Sequence, residues 1–113
     1  MRNYMYMEIF EERTRLPLKP YAHGRMVGTR AAAIPVRNQA EEVLLANREV
    51  VVDFTGIEAT QSFVDELLGV LILRHGCDIL QRIVLKGCSD DVRAIIEFVA
   101  SDRCDQFLKA KSH

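Results

Sequence analysis

Residues 50–73 constrain this chain more than any other stretch. Val50, Val51 and Val52 form a β-branched run that predicts a buried strand ending at Asp53 and Phe54. Thr55 and Gly56 supply turn chemistry. Ser62 then opens an apolar helix, with Asp65 three residues on as a short acidic variant of the capping box. This order puts a hydroxyl at the positive end of a helix dipole, a place that suits a structural cap or a phosphate.

The same helix predicts a contact surface. At about 100° per residue, Ser62, Asp65, Glu66 and Gly69 share one stripe, and the rest of 63–73 is apolar. Gly69 costs about 1 kcal/mol of helix propensity relative to alanine, a loss that burial alone does not require. A missing side chain there lets another backbone approach, and Leu73 extends the stripe with an apolar end. The expectation is a docking face.

The chain has 113 residues, which bounds it to one domain, and a hydrophobic fraction of 49% supplies one core without metal or disulfide staples. A formal net charge of −1 argues against nucleic acid or an anionic membrane as partner. The longest apolar run, Leu67 to Leu73, is far short of a bilayer span. Met1 to Glu8 lacks the layout of a signal peptide. Cys77, Cys88 and Cys104 are an odd number with no Cys-x-x-Cys pair, and read as reduced cytosolic thiols. A cytoplasmic protein is expected.

Tyr4 to Phe10 alternates as a first strand, followed by a charged turn or strand end at Glu11 to Arg15. Pro17 and Pro20 allow only a short edge strand between Leu16 and Tyr21. After a glycine-punctuated loop at His23 to Thr29, Val36, Ala40, Val43 and Leu44 predict a helix over about Arg30 to Ala46. Pro35 should kink that helix or mark its true start, and Asn47 suits a left-handed C-cap. Past a loop at His75 to Asp78 come a strand at Arg82 to Lys86, then a helix capped by Ser89 with an apolar face of Val92, Ile95, Ile96 and Val99. Ser101 to Leu108 reads as a separate short helix, and Lys109 to His113 as a frayed tail. The pattern is α/β: one small mixed sheet with helices packed on it, in a single domain over 1–113.

The run Asp53-Phe54-Thr55-Gly56-Ile57 followed by Ser62-Phe63-Val64-Asp65-Glu66 resembles the STAS domains of bacterial anti-sigma factor antagonists. It is closer still to a group of uncharacterised STAS-like domains, and Gly28-Thr29-Arg30 before a helix is similar to that group as well. The resemblance covers about residues 25–100. It implies a STAS-like sandwich, a phosphorylatable serine at Ser62, and partner switching: the unmodified domain binds an ATPase-type kinase and the phosphorylated one is released. The antagonists carry an aspartate directly before the serine and a small residue soon after. Here Gln61, Phe63 and Val64 stand instead, with less negative charge and more bulk near the hydroxyl.

Several residues admit more than one role. Asp65 and Glu66 are either partner contacts or first-turn acids that complement the dipole. Asp53 is expected to hold the following turn with Thr55 and Gly56. Arg25 and Arg30 flank a glycine loop and form a candidate anion grip. His75, Cys77 and Asp78 are too loosely spaced for a metal site, and Cys88 before a helix reads as either a reactive or an inert buried thiol. No nucleophile–base set or Walker motif is present, so no enzyme and no cofactor is expected. The leading expectation is a signalling or protein-interaction module docking through the Ser62 helix. The alternative is a small-molecule or nucleotide sensor using the Gly24–Arg30 loop. Self-association through the first strand is left open.

Overall fold

The computed structural model describes residues 13–111. The expected strand at Tyr4 to Phe10 lies outside them. Three parallel strands make the main sheet: β1 (Arg13–Pro17), β3 (Glu49–Asp53) and β5 (Ile83–Lys86), with β3 in the centre. Of the charged turn or strand end expected at Glu11 to Arg15, the described part, Arg13 to Arg15, is strand, because β3 offers its hydrogen-bonding edge to Arg13–Pro17. A second, two-stranded parallel sheet joins β2 (Met26–Val27) to β4 (Glu58–Ala59). Where a mixed sheet is expected, all the pairing of the named strands among the described residues is parallel.

Parallel strands need crossovers, and helices provide them. Helix α1 (Arg30–Leu45) joins β2 to β3, and Thr29 caps it by accepting from the Ala32 N–H at 3.0 Å. Pro35 lies inside α1 rather than at its start. Asn47 takes the left-handed conformation expected of it, at φ 62°. Helix α2 covers residues 61–75 and α3 is Asp90–Lys111. Ser89 caps α3 by accepting from the Val92 N–H, while its hydroxyl donates to Glu58 of β4. The predicted break near Ser101 is absent, because the buried row Val92, Ile96 and Val99 keeps α3 seated as one piece.

The row Leu16–Val52–Leu85 faces the helices, and the row Arg15–Val51–Val84 lies on the opposite face of the sheet. Phe54, Phe63, Leu67, Leu68, Leu71 and Ile72 fill the core between sheet and helices, and α2 packs between α1 and α3. His75 at the end of α2 hydrogen-bonds Glu41 of α1 at 2.6 Å, and Arg74 donates to the same carboxylate at 2.8 Å. The α1–α2 packing is therefore tied at both its apolar seam and its polar end. No helix among the described residues is long and apolar enough to cross a membrane.

Candidate functional site at the start of α2

Thr60, not Ser62, caps α2. Its Oγ1 accepts from the Phe63 N–H at 3.1 Å and donates to the Gly28 carbonyl at 2.8 Å. One hydroxyl so fixes the helix start and binds it to the turn that precedes α1. Ser62 falls on the first turn, exposed, and its hydroxyl has no hydrogen-bond partner among the described residues. The capping box expected from Ser62 and Asp65 is not formed.

Helix α2 also departs from regular 3.6-residue winding. Residues Asp65–Gly69 form a π-helical turn, closed by the Val70 N–H donating to the Asp65 carbonyl. The turn buries Asp65, Leu67, Leu68 and Gly69 together. A charged residue buried in such company needs cations, and two neighbouring helices supply them. Arg30, at the start of α1, donates to Asp65 Oδ2 at 2.8 Å, and Arg103 of α3 pairs with Asp65 Oδ1 at 2.6 Å. Arg37 of α1, itself buried, pairs with Glu66, and Arg30 stands 3.7 Å from that carboxylate. Three arginines from two helices thus hold two adjacent acids of a third. The short distances tie both side chains to guanidinium groups and make a structural clamp across three helices.

Asp65, Glu66 and Gly69, expected as an open docking stripe, are instead covered by the chain's own arginines. A side chain at Gly69 would place its Cβ 2.4 Å from Asp65 Oδ1 and 3.2 Å from Arg103 Cγ. The space beside Gly69 is taken by the side chains of Asp65 and Arg103. Of that stripe, Ser62 and Leu73 stay on the surface, Leu73 at 43% exposure. Neither Arg37 nor Arg103 stands out by local motif. A signal exists nonetheless: Arg37 falls in the buried row Ala33, Val36, Ala40, Leu44, and Arg103 continues Val92, Ile96, Val99 by one further turn.

The other predicted positions fall as follows. Asp53 Oδ1 accepts from the Thr55 N–H at 2.9 Å and from the Thr55 hydroxyl at 2.6 Å, and Oδ2 accepts from Arg15 at 2.6 Å. The Thr55 hydroxyl first, and the Arg15 guanidinium next, hold the Asp53 carboxyl well below the usual carboxylate range. Gly56 supplies the turn's positive φ, 73°. Arg25 lines an open groove with Met26, Glu58 and Ile95, while Arg30 is engaged by Asp65 and Glu66, so the two do not form one anion grip. Burial pushes the Cys88 thiol up, which fits the inert reading of that cysteine. Among the described residues, no group of three or more His, Cys, Asp or Glu could hold a metal ion.

A family model described as a STAS-like domain of unknown function (DUF4325) matches residues 32–93, more than half of the chain. That span includes the central strand, the Asp53 turn, all of α2 and the cap of α3. No curated protein and no solved structure matches the chain. The strand–turn–helix unit and the family match agree, and the chain belongs to the family of STAS-like domains of unknown function.

Proposed function

We propose that this domain is a non-enzymatic signalling module of the cytoplasm that binds a protein partner through the first turn of α2. One observation carries the reading: Ser62 offers an exposed hydroxyl, with no hydrogen-bond partner among the described residues, on a helix whose neighbouring acids are already engaged internally. A hydroxyl that neither caps the helix nor braces a neighbour is free for modification. A phosphate there would meet the positive end of α2 and add a charge to the surface a partner reads. The partner class that the STAS likeness suggests is a histidine-kinase-like ATPase, bound when Ser62 is unmodified and released when it is phosphorylated.

The test is capture of partners by the tagged chain from its native cells, comparing the unaltered protein with Ser62→Glu and Ser62→Ala. Because Thr60 is the cap, Ser62→Ala should change stability by no more than about 0.5 kcal/mol, as for an ordinary surface substitution. The expected result is an ATPase held by the unaltered chain and by Ser62→Ala and lost with Ser62→Glu. Equal retention by all three would make Ser62 incidental to binding. No partner with any of them would shift the reading to ligand sensing in the groove lined by Arg25 and Met26.

A further inference from the structure

Away from the Ser62 surface, the segment that follows α2 meets the last turns of α3. Gly76 turns the chain with φ 91°, and the position a Cβ would take there lies 3.1 Å from the ring of Phe107. The backbone therefore runs close beneath that ring. Cys77 is the next residue, and Cys104 lies one helical turn before Phe107 on α3. Both cysteines are half-buried against the edge of the core, and Cys77 lies near enough to influence the titration of Cys104. Twenty-six residues separate these two thiols in sequence, yet the packing of Gly76 on Phe107 brings their segments together.

We propose that Cys77 and Cys104 form a redox-active dithiol that closes to an intramolecular disulfide on exposure to a peroxide, tying the end of α2 to α3. Burial first, and then the neighbouring Cys77, push the Cys104 thiol up to about 11, so it stays protonated at neutral pH and acts second. The Cys77 sulfur, as thiolate, attacks one oxygen of hydrogen peroxide. An S–O bond forms, the O–O bond breaks, and the departing hydroxide takes a proton to leave as water. The Cys104 sulfur then attacks the sulfenic sulfur of Cys77. The S–S bond forms, the S–O bond breaks, and the Cys104 proton leaves with the second water. The balance is two thiols and one peroxide giving one disulfide and two waters, with two electrons passing from sulfur to oxygen. Arg103, which holds Asp65, is the neighbour of Cys104, so the closed bond would fix the arm of the α2 clamp.

The three cysteines lie on separate tryptic peptides, 75–82, 87–93 and 104–109, which makes the assignment direct. The full chain is mixed with an isotopically heavy copy, treated with hydrogen peroxide, alkylated with iodoacetamide and digested without reductant. The expected product joins 75–82 to 104–109 with loss of two hydrogens, light to light and heavy to heavy only. Cys88→Ser should leave it unchanged, and Cys104→Ser should abolish it while Cys77 proceeds to sulfinic and sulfonic acid. Recovery of 75–82 and 104–109 unlinked would overturn the proposal. So would mixed light–heavy cross-links, or the same spread of pairings from native as from urea-unfolded chain.

Discussion

Gly69→Arg is expected to destabilise the fold by about 3 kcal/mol, as overpacking combined with a broken buried ion pair. The Cβ alone would lie 2.4 Å from Asp65 Oδ1, in a carboxylate held by Arg30 and Arg103. Asp65 is too short and too buried to turn aside without releasing one arginine. The longer side chain then adds a fourth cation where three arginines already face two acids. Gly69→Ala makes the contrast sharper. On an exposed helix it would stabilise by about 1 kcal/mol through propensity, whereas here it should destabilise. Urea unfolding of the three proteins measures both. A fully stable Gly69→Arg protein would mean that the glycine faces open space, as the regular-helix reading of the sequence supposes.

Asp53→Ala is expected to cost about 2–3 kcal/mol at neutral pH, since a buried carboxylate with hydrogen bonds to Thr55 and Arg15 is lost. The effect should depend on pH in a fixed direction. The folded carboxyl is held below its ordinary value of 3.8, so its contribution is complete above that value. It declines as the solution is acidified further, and disappears once pH falls through the depressed folded value. The gap between the two proteins' unfolding midpoints should therefore be constant from neutral pH down to the ordinary carboxylate range, and narrow only below it. Asp53→Asn should keep a bond to Thr55 and lose the charge, giving a smaller gap with little pH dependence. A gap that closes between pH 7 and 5 would assign the effect to another group.

What was legible in the sequence was mainly local. Val50 to Val52, the turn at Asp53 to Gly56, Asn47 after α1 and Ser89 before α3 each carry their reason within a few residues, and the structure places them as expected. The start of α2 was harder. Thr60 and Ser62 have the same capping chemistry two residues apart, and a bond from Thr60 to the Gly28 carbonyl, 32 residues away, distinguishes them. The π turn has no periodic signature, because one widened turn shifts the face of every residue after it without altering composition. Asp65 and Glu66 were visible as acids, but their cations come from α1 and α3. The clue lay in those helices: an arginine in each otherwise apolar row, Arg37 and Arg103, demands a buried carboxylate opposite. Two such arginines and two adjacent acids are a matched set only once the helices are side by side.

The clamp closes the acidic side of α2, and the proposed partner surface is the Ser62 turn that it leaves exposed. A double-mutant cycle on Asp65→Ala and Arg103→Ala, read by urea unfolding, tests that clamp most directly. The predicted coupling between the two residues is about 1–3 kcal/mol in favour of the pair, as for groups in one buried network. Coupling indistinguishable from zero would contradict the account, since Asp65 would then be a solvated acid and its face of α2 would be open to a partner.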